Sequence, residues 1–135
     1  MEVNWLTKRD ILSIHSESIA EFGGELGILS HGSLDSTLNK PKNLNYYQPN
    51  ITLYDLAASY GYGFIKNHCF VDGNKRIAFF SICTFLGING IELTASDEDA
   101  IEFFLGLAAA IEIQEEAIER LRNWIKDNSS ALTKF

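Results

Sequence analysis

The chain has 135 residues, of which 46% are hydrophobic and 21% charged, a composition typical of a folded domain rather than a disordered chain. Its net charge of −7 argues against direct nucleic-acid binding, because such binding needs a basic surface that neutralises phosphates. No apolar run reaches about 18 residues, so we expect no membrane helix. Residues 1–5 lack the pattern of a secretory signal, which predicts a cytoplasmic protein.

Apolar spacing predicts a first helix that starts at the N-cap Thr7 and ends at Gly23-Gly24. We interpret His15 as a packed or half-exposed histidine on or beside the apolar face of this helix, and not as a ligand, since no second ligand follows at metal-site spacing. Residues 27–32 form a predicted loop, and its His31 is expected to be structural or exposed rather than catalytic.

Ser33 is the predicted N-cap of a short second helix that ends before Pro41, because proline disrupts helix interiors. Residues 41–50 are then a polar loop, in which Tyr46 and Tyr47 are expected to pack as aromatic anchors.

A third helix follows the N-cap Thr52 and continues to Lys66. Its glycines, Gly61 and Gly63, each cost about 1 kcal/mol relative to alanine, which indicates that another helix approaches closely. Apolar residues surround the next helix, residues 75–86, on nearly every side, and such a helix is buried. We therefore place it at the centre of the domain.

The last third of the sequence indicates a short strand and two helices. Ile91–Leu93 is the predicted strand, with Val3–Leu6 as its partner, and Ser96 caps a helix that ends near residue 110. A final helix covers about residues 114–126, and residues 127–135 are expected to fray. The sequence thus predicts a single all-α domain over residues 1–135, with its core at about 5–126, about six helices and at most one short β-pair.

Neither cysteine has the spacing of a metal ligand. Cys69 lies in a predicted loop and Cys83 on the buried helix. We expect both to be reduced thiols.

The segment from residue 68 to residue 76 carries most of the chemistry. Gly73 and Asn74 precede the buried helix, so we predict a loop that ends at a helix N-terminus with Asn74 as the N-cap. The free N–H groups of the first turn, Lys75 and Arg76 then form an anion site. In the same segment His68 is suited to act as a general base, and Asp72 to hold Mg²⁺ together with substrate phosphates.

This segment resembles the Fic/Doc superfamily, and within it the Doc (death-on-curing) toxins. The family motif reads His-x-Phe-x-Asp/Glu-Gly/Ala-Asn-Gly/Lys-Arg on the loop before a central helix. Every specified position is met here: His68, Phe70, Asp72, Gly73, Asn74, Lys75 and Arg76. The first helix, the Gly32–Pro41 segment and the helix at 56–67 are also similar to the family, so the resemblance covers about residues 5–125.

The resemblance implies ATP as donor, Mg²⁺ as cofactor and a role for each motif residue. His68 would be the catalytic base, Phe70 a structural anchor and Asp72 the metal ligand. Gly73 and Asn74 would form a backbone nest for phosphate, and Lys75 and Arg76 would stabilise charge on the transferred group.

Two departures from the AMP-transferring Fic pattern indicate the Doc branch. Lys75 stands where that pattern has glycine, and Phe79 stands where it has a second arginine. Members of the Doc branch transfer the γ-phosphate of ATP to a threonine of elongation factor Tu and so inhibit translation. Two alternatives stay open: a Fic-type AMP- or nucleotidyltransferase, and a catalytically silent antitoxin-binding module.

The resemblance also implies a bacterial, cytoplasmic protein with a partner. Doc toxins are held by a separate, Phd-like antitoxin whose C-terminal segment folds into a groove on the toxin. The inhibitory helix motif of some Fic enzymes is not met, because Ser13-x-x-x-Glu17 is followed by Ser18.

Overall fold

A computed structural model describes residues 2–109 and 112–132. In order, the elements are α1 (Lys8–Phe22), α2 (His31–Tyr47), α3 (Leu53–Lys66), α4 (Asn74–Ile88), β1 (Ile91–Leu93), α5 (Asp97–Ala109), α6 (Gln114–Asp127) and β2 (Ser129–Ala131). The described residues therefore confirm an all-α architecture of six helices with one short two-stranded sheet. No helix in these ranges is long and apolar enough to cross a bilayer.

The predicted starts of the first and third helices are confirmed. The side chains of Thr7 and Thr52 each accept a hydrogen bond from the backbone N–H three residues later. The carboxylates of Asp10 and Asp55 in turn accept from the backbone N–H of the N-cap residue. Such capping boxes satisfy two of the N–H groups that a helix end leaves free.

The core lies around α3 and α4. Helix α3 packs against α2, α4 and α6, and its middle is buried without interruption from Leu56 to Gly61. A Cβ atom at Gly61 would lie 2.5 Å from Cδ1 of Ile82 on α4, and one at Gly63 would lie 2.6 Å from Cγ2 of Thr37 on α2. The close helix approach predicted from these glycines is confirmed, and α4 shares the centre with α3.

The second helix differs from its prediction at both ends. Its N-cap is Ser30 rather than Ser33, and Pro41 lies inside the helix, which continues to Tyr47. Pro41 is buried, and we attribute its tolerance to this packing, which offsets the missing N–H. The predicted packing of the tyrosines is wrong: Tyr46 is 82% exposed and its neighbour Tyr47 is 76% exposed.

The predicted strand β1 is confirmed, but its predicted partner is wrong. It pairs antiparallel with β2, with Ile91 opposite Ala131, and not with residues 3–6. Further bonds extend the pairing, from Leu132 N to Gly90 O and from Thr94 N to Asn128 O. Residues 129–131 are therefore a strand rather than a frayed tail, while residues 133–135 lie outside the described residues.

Candidate active site

The loop before α4 is bound along one side by the segment that follows α1. Leu29 N donates to Cys69 O at 2.9 Å, and Val71 N donates to Gly27 O at 3.0 Å. These bonds form an isolated antiparallel bridge between Ile28 and Phe70. The loop therefore has a defined backbone path, although it belongs to no regular element.

Asn74 closes the loop, and its predicted role as N-cap is wrong. Gly73 is the N-cap of α4, with a left-handed backbone at φ 78°, and no side chain caps this helix. Asn74 Oδ1 instead accepts from Phe70 N at 3.0 Å, and Asn74 Nδ2 donates to Phe70 O at 2.9 Å. Its carboxamide thus links the first residue of the helix to the backbone in the middle of the loop.

The aromatic ring of Phe70 anchors the loop in the core. Phe70 is 1% exposed and stacks on the imidazole of His15, with ring centroids 3.8 Å apart. His15 is itself 3% exposed, and its Nε2 lies 2.7 Å from the carbonyl oxygen of Asp72. Of the two environments predicted for His15, packed or half-exposed, the structure shows the packed one.

His68 is exposed at the start of the loop. Its φ of 46° makes it the one non-glycine residue with a positive φ among the described residues. Non-glycine residues adopt this region rarely, and when they do they often lie at functional sites.

Asp72 presents an exposed carboxylate beside the helix N-terminus. Its Oδ1 accepts from Gly73 N at 2.8 Å, and its Oδ2 accepts from Glu25 N at 3.2 Å. Each oxygen keeps lone pairs for a hard cation. Within the described ranges no group of three or more His, Cys, Asp or Glu side chains surrounds a metal position. A single exposed carboxylate of this kind suits Mg²⁺ when water and substrate phosphates complete the coordination shell.

The two motif cations have different environments. Lys75 is exposed in the first turn of α4. Arg76 is half-buried, and its Nη2 donates to Gly23 O at the end of α1 at 2.8 Å. Its guanidinium also lies 5.8 Å from the ring centre of Phe22. Part of the predicted anion-binding group thus holds α1 against α4.

Of the seven specified motif residues, all except Phe70 line one open cleft of about 830 Å³. Its lining residues are Ile65, Lys66, His68, Val71, Asp72, Gly73, Asn74, Lys75, Arg76, Leu105, Ala108 and Ala109. The opposite wall comes from α5, whose Ala108 carbonyl accepts from Lys66 Nζ at 3.3 Å. This wall could not be predicted from the sequence, because α5 follows the motif by more than twenty residues.

An apolar groove adjoins the cleft between α4 and α5. It has a volume of about 470 Å³ and is lined by Phe22, Phe79, Phe80, Ala100, Ile101, Phe104 and Leu105, with Lys75, Arg76 and Asp97 among its polar residues. Ile101 is 62% exposed and Leu105 52%. Because Lys75, Arg76 and Leu105 also line the cleft, the groove and the cleft are continuous.

Both cysteines are free thiols, as predicted. Burial raises the pKa of the Cys69 thiol, and its sulfur lies 3.5 Å from Thr37 Oγ1. Burial also raises the pKa of Cys83 to about 11. Both groups are therefore neutral near pH 7, and neither lines the cleft.

A helical protein with a histidine, a carboxylate and two cations grouped where its buried helix begins has the architecture of a Fic-type fold. Comparison with known sequences agrees. The Fic/DOC family matches residues 5–86, more than half of the chain, and the chain belongs to this family.

Two relatives carry Doc names. The chain is 40% identical over 100 residues to Toxin Doc of Mycolicibacterium smegmatis, a match that covers 73% of this chain and 75% of that protein. It is 26% identical over 93 residues to Protein kinase doc of Escherichia phage P1, with 69% of this chain and 74% of that protein covered.

Proposed function

We propose that this protein is a Doc-type toxin that transfers the γ-phosphate of ATP to a hydroxyl group of a target protein, with a threonine of elongation factor Tu as the first candidate. The observation that carries the proposal is the shared cleft, in which a base, a carboxylate and a cation surround a helix N-terminus. The names of the two relatives, a toxin and a protein kinase, support the same function.

Each residue of the cleft would have a separate role in the transfer. The target hydroxyl oxygen forms a bond to the γ-phosphorus, the bond from that phosphorus to the bridging oxygen of ADP breaks, and His68 accepts the hydroxyl proton. Lys75 and the free N–H groups of the first turn of α4 stabilise the charge that develops on the phosphoryl oxygens. Asp72 would hold Mg²⁺, which when bound neutralises phosphate charge.

Arg76 would bind phosphate oxygens through the guanidinium N–H groups that do not donate to Gly23. A guanidinium has five N–H donors, and the bond to Gly23 O occupies one of them. The same side chain can therefore keep its contact with α1 and still offer donors to a phosphate.

A Fic-type nucleotidyltransferase is the second candidate, and the surroundings of Phe79 count against it. The ring of Phe79 lies 5.7 Å from that of Phe104 and lines the apolar groove. No cation therefore stands at the position where the AMP-transferring pattern has its second phosphate-binding arginine. A silent antitoxin-binding module, the third candidate, would have no need to keep His68, Asp72 and Lys75 in one cleft.

The test uses purified elongation factor Tu, Mg²⁺ and ATP. After incubation with the wild-type chain, we expect the intact mass of the factor to rise by one phosphate, and peptide mapping to place it on a threonine. His68→Ala should leave the mass unchanged. An increase by one AMP would support the nucleotidyltransferase instead, and an unmodified factor would remove it as the target.

The apolar groove is the proposed binding site of a Phd-like antitoxin segment. Its exposed aliphatic side chains suit the apolar face of a helix, and Lys75 and Arg76 at its border suit acidic side chains. A segment bound there would cover Arg76 and so restrict the cleft. We expect Ile101→Asp to stay toxic when the antitoxin is co-expressed, whereas Ile113→Asp, an equally exposed residue outside the groove, should be neutralised.

A further inference from the structure

We propose that His15 is a positioning residue for the transfer site, an inference that rests on the proposed function. It comes from α1, more than fifty residues before the motif, and is buried against the loop. Its Nε2 lies 2.7 Å from Asp72 O, and a carbonyl oxygen can only accept a hydrogen bond. Nε2 must therefore be the protonated ring nitrogen, and its N–H donates a hydrogen bond to the backbone carbonyl oxygen of Asp72.

The bond fixes the peptide unit that joins the proposed metal ligand to the helix N-cap. The carbonyl of that peptide accepts from His15, while its N–H, on Gly73, donates to the Asp72 carboxylate at 2.8 Å. Rotation of the peptide would break both bonds. It would also move the left-handed Gly73, from which α4 and its free N–H groups begin.

The ring of His15 fixes the loop at a second point. It stacks on Phe70 at an interplanar angle of 11°, and Asn74 holds the backbone of the same Phe70. A Cβ atom at Gly73 would lie 3.5 Å from His15 Nε2, so the imidazole is in contact range of the N-cap as well. One side chain thus orients both ends of the segment from Phe70 to Gly73.

A role limited to filling the core would not need an imidazole. The other buried positions on the same face of α1 include Ile11 and Ile19, which fill space without polar atoms. A buried polar side chain is costly unless it is hydrogen-bonded, and the partner of His15 is a backbone atom of the site itself. Hydrogen bonds that orient a metal ligand typically change activity about 10- to 100-fold when removed.

Three substitutions separate the hydrogen bond from the packing. In His15→Gln the amide nitrogen is as many bonds from Cα as Nε2 of histidine is, so the donor is kept. In His15→Asn the amide nitrogen is one bond closer to Cα and falls short of Asp72 O. His15→Phe keeps the ring stack without a donor. We expect the Gln variant to retain phosphate transfer within about threefold and the Asn and Phe variants to lose about 10- to 100-fold in kcat. Ile11→Ala, which destabilises the same helix, serves as the folding control and should keep its kcat.

A spectroscopic measurement tests the positioning independently of the reaction. In ¹⁵N-labelled wild-type protein, long-range correlations should show a proton on Nε2 of His15, and the Gly73 amide resonance should shift in the Asn and Phe variants but not in Ile11→Ala. A proton on Nδ1 alone, an unmoved Gly73 resonance, or equal transfer by the Gln and Asn variants would overturn the inference. If the wild-type chain transfers no phosphate, the proposed function fails, and the resonances alone decide the role of His15.

Discussion

Asn74 shows how one side chain can have a different role from the one its local sequence indicates. An asparagine before a helix is typically an N-cap, and the pattern predicts that role. In the structure its carboxamide instead binds both backbone groups of Phe70, four residues earlier. The sequence could not indicate this pairing, because the choice depends on the left-handed backbone of Gly73.

Replacing Asn74 with aspartate tests this pairing. Asn74→Asp keeps an acceptor for Phe70 N but turns the donor toward Phe70 O into an acceptor, so two oxygens face each other. We expect the free energy of unfolding in urea to fall by about 1–3 kcal/mol and phosphate transfer to be lost. Asn43→Asp, at an exposed position of α2, makes the same change of charge and should do neither. Equal stability of the two variants would contradict the pairing.

His68 combines exposure with an unfavourable backbone conformation, and its two roles can be separated. We expect His68→Ala and His68→Gly to lose phosphate transfer, because both lack the base. The Gly variant should be more stable than the Ala variant by about 1 kcal/mol, since glycine adopts positive φ without a steric penalty. Urea unfolding and a transfer assay measure the two effects. A folded His68→Ala protein that still transfers phosphate would remove His68 from the mechanism.

Most helix boundaries were predictable from the sequence, but the extent of α2 and the partner of β1 were not. The Thr7 and Thr52 capping boxes involve residues three apart, so a local pattern contains them fully. The continuation of α2 through Pro41 depends on burial against other elements, which a local pattern does not contain. The same is true of β1, whose partner β2 lies beyond two intervening helices.

A substitution at Gly63 tests the contact between α2 and α3, because the two helices touch at this residue. A methyl group at Gly63 would lie 2.6 Å from Cγ2 of Thr37, a stiff side chain that also accepts a hydrogen bond from Asn67. We expect Gly63→Ala to lower the free energy of unfolding by about 1–3 kcal/mol. Gly106→Ala, at an open position of α5, should raise it by about 0.5–1 kcal/mol. Stabilisation by both substitutions would contradict the helix contact.

At the scale of the whole molecule, the contiguous motif made much of the cleft predictable. Five of its residues follow one another from Asp72 to Arg76, so the fold had only to expose one short segment. The contacts of His15 in α1 with Asp72 and of Gly23, just after α1, with Arg76 were not predictable from spacing, and neither was the place of Leu105 in the cleft wall. They depend on how distant helices pack around the loop.

The cleft should bind an anion although the molecule is acidic, because Lys66, Lys75 and Arg76 all line it. We expect Mg-ATP at about 100 times its dissociation constant to stabilise the wild-type chain by about 2.7 kcal/mol. Lys75→Ala should show a smaller gain at the same nucleotide concentration, because it removes the exposed ammonium that we propose binds the phosphates. Lys126→Ala removes a charge that is also exposed, on α6, and should behave as wild type in thermal unfolding. Equal stabilisation of both variants would place the nucleotide elsewhere.

Two labelled samples of ATP distinguish phosphoryl transfer from nucleotidyl transfer. One carries the label on the α-phosphate and the other on the γ-phosphate, and each is incubated with purified protein, Mg²⁺ and a cleared bacterial lysate. We expect label on a lysate protein only from the γ position, and none with His68→Ala. Label from the α position would contradict this expectation and identify a nucleotidyltransferase, while a blank result with both labels would favour the silent binding module.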